Sequence, residues 1–181
     1  MQSKIVTIEQ ITFIAARLRA ESKKIITTNG TFDILHAGHV QFLEEAKTLG
    51  DVLIVGLNSD ASVKQYKGDK RPINGQEDRA FVLSALACVD YVVVFDEREP
   101  SELLDCIKPN IHVKAADYTL DKNNDQPHTK IWERETVEKN GGVVKLLSLQ
   151  AGKSTTNIIQ RIIELYKDER VFKECQNRQK F

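Results

Sequence analysis

Five short runs rich in β-branched and apolar residues recur along the chain, and segments of helical periodicity separate them. The runs are Lys24–Thr28 (KIITT), Asp51–Asn58 (DVLIVGLN), Tyr91–Phe95 (YVVVF), Ile111–Ala115 and Val143–Leu147. The second is almost continuously apolar, the pattern of a strand covered on both faces. Ahead of the first run, Ile8, Ile11, Ile14 (or Ala15) and Leu18 follow the spacing of an amphipathic helix. After it, Val40, Leu43, Ala46 and Leu49 mark a helix that Gly50 is expected to cap. Asn74-Gly75-Gln76-Glu77 has the spacing of a capping box with Asn74 as cap, opening a helix to about Ala87. Pro100 suits the start of a helix over Ser101–Ile107. Further helices are expected over Lys130–Lys139, closed by Asn140-Gly141-Gly142, and from Thr155 to about Lys167. Strand and helix alternating five times predict an α/β fold, a doubly wound five-stranded parallel sheet. In such sheets ligands sit at the carboxyl ends of the strands, where the strand order reverses. The loops after the first, second, fourth and fifth strands are therefore the places to look for chemistry.

With 181 residues and no internal repeat or Pro/Ser linker, a single domain is expected. Its parts would be an N-terminal helix over 1–23, a core over 24–167 and an extension over 168–181. The 26 basic and 26 acidic side chains cancel, which argues against a bulk nucleic-acid binder or a polybasic membrane binder. No apolar run approaches the ~20 residues of a membrane span, and the N-terminus lacks a signal-peptide pattern. Cys88, Cys106 and Cys175 are far apart and odd in number, which disfavours a disulfide framework or a zinc site. A cytoplasmic setting is the expectation.

The loop after the first strand reads Gly30-Thr31-Phe32-Asp33-Ile34-Leu35-His36-Ala37-Gly38-His39. His36 and His39, three apart, straddle the start of a helix, so their rings share a face. Gly38 removes a side chain where a ligand approaches the backbone. A helix N-terminus offers free N–H groups and a positive dipole end. Together these features suit a polyphosphate. A metal site competes for the His pair, but Asp33 is the one other suitable ligand type nearby. Downstream, Ser154-Thr155-Thr156 stands before an apolar helix, where hydroxyls and free N–H groups can hold phosphate or simply cap.

Gly-Thr-Phe-Asp-x-x-His-x-Gly-His after a first strand resembles the signature of the cytidylyltransferase-like nucleotidyltransferase superfamily. The Ser154-Thr155-Thr156-Asn157-Ile158 run is similar to that group's second motif. Between them, Lys67-Gly68-Asp69-Lys70-Arg71-Pro72, Glu77-Asp78-Arg79, Lys108-Pro109-Asn110 and Lys114-Ala115-Ala116-Asp117-Tyr118 resemble the adenylyltransferases that activate heptose 1-phosphate. Those enzymes occur as the second domain of bifunctional ADP-heptose synthases or as stand-alone counterparts. The resemblance covers roughly Ile25 to Tyr166. Where that family has Lys-Gly-Gly-Asp-Tyr, this chain carries Ala115 and Ala116, whose methyl groups fall where backbone approach or positive φ is expected.

The resemblance implies a Rossmann-like, HIGH-type domain that transfers AMP from ATP to a sugar 1-phosphate. It implies His36, His39 and Lys67 as catalytic residues, with Lys67 on a loop. Thr31, Phe32, Asp33, Gly38, Arg71, Arg79, Asp117, Ser154, Thr155 and Thr156 would hold the nucleotide and the sugar phosphate. It further implies Mg²⁺ accompanying ATP, a homodimer, no nucleic-acid or membrane partner, and a separate sugar kinase. The competing expectations are a cytidylyltransferase for glycerol 3-phosphate and a catalytically silent nucleotide-binding regulator. Trp132 is expected in the core, and His112 and His128 are expected to be structural. A neutral chain still suits a small anion, because four of the eight residues from Lys64 to Arg71 are basic and one is acidic.

Overall fold

The computed structural model describes residues 3–115, 131–148 and 153–167. Its strands are β1 (Ile25–Gly30), β2 (Val52–Asn58), β3 (Tyr91–Phe95), β4 (Ile111–Ala115) and β5 (Val143–Leu147). Its helices are α1 (Ile8–Ala20), α2 (Ala37–Lys47), α3 (Asp60–Lys67), α4 (Gln76–Ser84), α5 (Ser101–Ile107), α6 (Arg134–Lys139) and α7 (Thr155–Tyr166). Two compact units are distinguished, Met1–Leu149 and Gln150–Phe181, and α7 belongs to the second.

The five strands pair in parallel in the order β3-β2-β1-β4-β5. The chain lays β2 and β3 to one side of β1, then returns to place β4 and β5 on the other. The order therefore reverses between β1 and β4, which leaves a crevice at their carboxyl ends. Register fixes which residues meet there: Thr27 lies opposite His112, and Thr28 opposite Val113.

Alternation along the strands sends side chains to two cores. Ile26, Leu53, Val55, Ile111 and Val113 pack with Phe42, Leu43 and Ala46 of α2 and Ala80 and Leu83 of α4. Ile25, Ile54, Val93 and Phe95 pack on the other face with Ile11, Ile14, Ala15 and Leu18 of α1 and Leu103 and Ile107 of α5. Helix α1 begins with a reciprocal box: Thr7 Oγ1 accepts from Gln10 N at 3.2 Å, and Gln10 Oε1 accepts from Thr7 N at 2.9 Å.

Several local expectations are corrected. Helix α2 ends at Lys47, and Thr48 caps it in the right-handed conformation. Gly50 is needed for space instead: a Cβ there would lie 2.7 Å from both the Ile26 Cδ1 atom and the Lys24 carbonyl oxygen. Helix α4 is capped by Gly75, not Asn74, and stops at Ser84. Residues 60–67 form a helix where a basic loop was expected. Helix α6 starts at Arg134, and Trp132 ahead of it is 45% exposed, so it is not a core residue. Ala115 keeps an ordinary strand conformation, so no positive φ is demanded there. Ala116, Lys130, His128 and the extension over 168–181 lie outside the described residues. Among the described residues, no helix is long and apolar enough to cross a membrane.

Candidate active site

Strand β1 delivers its last residue, Gly30, into a sharp turn. Phe32 takes a φ of 45°, the left-handed region that a bulky residue rarely adopts. Its neighbours hold it there. The Phe32 ring lies over Gly30, where a Cβ would come within 3.1 Å of the ring, and tilts against His39 with centroids 5.2 Å apart. The turn then enters α2.

His36 is the N-cap of α2 and makes no side-chain cap, whereas Thr7 and Ser59 hydroxyls cap α1 and α3. The start of α2, which follows the turn after β1, therefore has backbone N–H groups that no side chain caps, with a buried glycine, Gly38, in its first turn. The rings of His36 and His39 stack with centroids 3.7 Å apart and planes 21° from parallel. Burial foremost, with the nearby charges of His36 and Lys67, holds the His39 pKa down to about 4. His39 is therefore neutral at pH 7. Its Nδ1 is buried with no hydrogen-bond partner.

Lys67 reaches this group from the last turn of α3 rather than from a loop. The residue keeps solvent access, yet protein surrounds much of its ammonium. That desolvation, with the nearby Arg71, holds its pKa below the ordinary lysine value, and Asp33 only partly opposes the shift.

The turn is tied down by the segment from α3 to α4. Asp33 is 3% exposed. Its carboxylate accepts from Arg71 Nε at 2.5 Å, Ile73 N at 2.8 Å and Asn74 N at 3.0 Å. Burial alone would raise the Asp33 pKa, but the Asn74 amide, the Arg71 guanidinium and the Ile73 amide outweigh it and hold the group below its ordinary value. Asn74, expected as a helix cap, donates instead through Nδ2 to the Asp33 carbonyl at 2.8 Å.

Arg79 is 2% exposed, and its fork joins four segments. Nη1 donates to Thr31 O at 2.6 Å and Asn58 O at 2.9 Å, Nη2 to Asp60 Oδ1 at 2.7 Å, and Nε to Asn74 O at 2.9 Å. These bonds make Arg79 a brace for the turn, a role its reading as a phosphate contact did not include. Arg71, 19% exposed at its side chain, likewise has Asp33 as a partner. Thr31 Oγ1 shares a 2.6 Å hydrogen bond with the hydroxyl of Tyr66, a residue that no motif pointed to. Behind the turn lies a cavity of about 270 Å³, lined by Phe32, Asp33, Leu35, Asp78, Phe81 and Val82 among others.

The structure thus gathers Thr31, Phe32, Asp33, His36, Gly38, His39, Lys67, Arg71 and Arg79 around one turn. Asp117 lies outside the described residues. Ser154, Thr155 and Thr156 open α7 in the second unit, where Ser154 Oγ accepts from Asn157 N at 3.0 Å as a standard N-cap. Among the described residues, no three His, Cys, Asp or Glu side chains form a metal-ligand group.

The chain has known relatives in sequence and in fold. A cytidylyltransferase-like family model matches residues 27–161. The "Bifunctional protein HldE" of Geobacter sulfurreducens is 46% identical over 167 residues, 92% of this chain and 32% of that protein. The protein of the same name from Aliarcobacter butzleri is 50% identical over 162 residues, 90% of this chain and 32% of its own. The chain therefore spans about a third of the length of these curated relatives. A crystal structure of the lipopolysaccharide core biosynthesis protein from Thermoplasma volcanium superposes with a TM-score of 0.56 at 27% identity, over 71% of this chain and 97% of that one. A pantoate-beta-alanine ligase from Francisella tularensis shares the fold, with a TM-score of 0.59 at 17% identity, over 93% of this chain and 80% of that one. With the motif turn, the His pair and a match across most of its length, the chain belongs to the cytidylyltransferase-like family of nucleotidyltransferases.

Proposed function

We propose that the chain transfers the adenylyl group of ATP to a sugar 1-phosphate of the heptose 1-phosphate class, giving an ADP-sugar and pyrophosphate. The observation that carries this reading is the uncapped start of α2 beside the stacked His36–His39 pair, with Lys67 close enough to depress the His39 pKa. That is a preorganised set of donors for a polyphosphate. The names of the HldE relatives and of the lipopolysaccharide core biosynthesis protein support the sugar class.

A phosphate oxygen of the sugar substrate attacks the α-phosphorus of ATP. The bond from that phosphorus to the oxygen bridging the α- and β-phosphates breaks, and pyrophosphate leaves with the electron pair. Phosphoryl chemistry of this kind needs positioning and charge stabilisation rather than covalent help. His36 and the neutral His39 ring donate N–H bonds as charge builds on the leaving oxygens. An anionic ligand opposes the lowering at His39, so that ring can become cationic as the reaction proceeds. Lys67 neutralises the α-phosphate or the incoming phosphate. Asp33, Arg79 and Asn74 keep the turn rigid, and Ser154, Thr155, Thr156 and Asp117 are assigned to the remaining phosphates and the ribose. Mg²⁺ accompanying ATP would supply charge neutralisation of the triphosphate; among the described residues no three His, Cys, Asp or Glu side chains form a group to hold it.

Purified protein given ATP or CTP, with heptose 1-phosphate anomers, hexose 1-phosphates or glycerol 3-phosphate, tests the assignment through pyrophosphate release. Turnover with ATP and a heptose 1-phosphate is expected. Preference for CTP and glycerol 3-phosphate would move the chain to another branch of its family. Binding of ATP with no release for any acceptor would mark a silent nucleotide-binding protein.

A further inference from the structure

On the sheet face opposite α2 lies a buried polar cluster that the chemistry above does not use. Ile25 packs with α1 and α5, so Thr27 and Asn29, two and four residues on, point the same way. Ile111 and Val113 pack toward α2, so His112 and Lys114 point away from it. Lys114 is 6% exposed and Glu133 3%. Lys114 Nζ donates to Glu133 Oε1 at 2.8 Å and to Asn29 Oδ1 at 3.0 Å. His112 Nδ1 and Thr27 Oγ1 are 2.9 Å apart beside this pair.

A buried ion pair on a central strand is a poor source of stability. Desolvating both charges costs several kcal/mol, and well-packed apolar residues of similar size often serve the fold as well or better. Geometry gives this pair another use. Lys114 is the penultimate residue of β4, Glu133 immediately precedes α6, and Asn29 is the penultimate residue of β1. The chain beyond Asn29 is the turn that carries Thr31, Phe32 and Asp33. Arg79, Tyr66, Arg71 and Asn74 grip that turn from the α3–α4 side. Lys114 grips its root from the other side of the switch point.

We propose that the buried Lys114–Glu133 pair, through Asn29, is a positioning device that sets where the Thr31–Asp33 turn, and with it the His36–His39 pair, stands in the crevice. Lys114 and Glu133 are positioning residues here, not catalytic ones. The turnover arm of the test rests on the adenylyltransferase reading; the exchange arm does not.

The test compares the full chain with the double variant Lys114→Met/Glu133→Leu, which removes both charges together, so that neither is left buried alone, and releases Asn29. The expected result is a thermal midpoint equal to or above the parent's, with kcat lowered about tenfold or more, as small misplacements of reacting groups do. KM for ATP should move far less than kcat, and amide hydrogen exchange at Gly30–Asp33 should quicken in the ligand-free protein. A folded double variant with kcat and Gly30–Asp33 exchange both at parental values overturns the proposal. If the double variant does not fold, Glu133→Gln and Glu133→Ala replace it. Gln keeps an acceptor for the ammonium and should restore most of the kcat and protection that Ala loses; equal behaviour of the two overturns the proposal. A parent that transfers no nucleotide to any acceptor refutes the adenylyltransferase reading, while exchange still decides whether the pair positions the turn.

Discussion

Replacing His112 with Gln should flatten the acid side of this protein's stability curve. The ring has no solvent exposure, and its Nε2 lacks a hydrogen-bond partner. Burial lowers its pKa from 6.5 to about 4; the Glu133 carboxylate pulls the value up and the Lys114 ammonium pushes it down. Above pH 6.5 the ring is neutral in both folded and unfolded chains and does not affect the balance. Below that, the unfolded chain binds a proton that the folded chain refuses until about pH 4. Stability therefore falls as pH falls, by about 1.4 kcal/mol per pH unit, with a total near 3 kcal/mol at pH 4. Gln does not titrate, so that part of the slope vanishes. Its lost hydrogen bond to Thr27 lowers the whole curve by about 1–3 kcal/mol without tilting it. Urea unfolding of both proteins from pH 7.5 to 4.5 gives the difference directly, because His39 and the carboxylates act in both. Parallel curves, or a His112 ring signal titrating near pH 6.5 by NMR, would refute the reasoning.

Further outcomes follow from the candidate site and from the packing beneath it. His39→Ala should lower kcat by roughly two orders of magnitude or more with the fold intact, as loss of a preorganised donor does; steady-state turnover within threefold of the parent would remove His39 from its role. Lys67→Ala should reduce kcat more than it raises KM for ATP, whereas a change in KM alone would reassign it to ground-state binding. Asp33→Ala strands Arg71 and two backbone N–H groups, so urea unfolding should show a loss of about 3–5 kcal/mol; a loss under about 1 kcal/mol would contradict the brace. Gly50→Ala drives a methyl group onto the Lys24 carbonyl and should cost about 1–3 kcal/mol by thermal or urea unfolding, and a neutral result would show that the backbone gives way there.

Strands β1 to β4 and α5 are legible in the sequence because each buries a continuous or alternating apolar run, whereas β5 is legible from its β-branched and apolar residues although none of its residues is fully buried. Helix α3 is not legible. Of its eight residues only Ser62 and Val63 are buried, so it carries almost no apolar period. Gly50 reads equally well as a cap or as a spacer, and only the approach of Lys24 and Ile26 decides. Asn74 has capping spacing but finds a stronger partner in Asp33, 41 positions away. The loop motif names residues that the fold gathers around one turn, because Thr31, Phe32, Asp33, His36 and His39 are close in sequence. It does not say that Arg79 is consumed by carbonyls from Thr31, Asn58 and Asn74, because those bonds exist only once β1, β2 and α4 are assembled. The Lys114–Glu133 pair is hidden for the same reason: its members are 19 residues apart, and nothing in their local sequence links them.

The claim at the centre is that the His36–His39 crevice directs attack at the α-phosphorus. Incubation with ATP labelled at the α-phosphate, plus a heptose 1-phosphate, tests it most directly. The account predicts label in an ADP-sugar and unlabelled pyrophosphate, with transfer lost in His39→Ala. Label retained in ATP, or released as AMP without a sugar nucleotide, would contradict it.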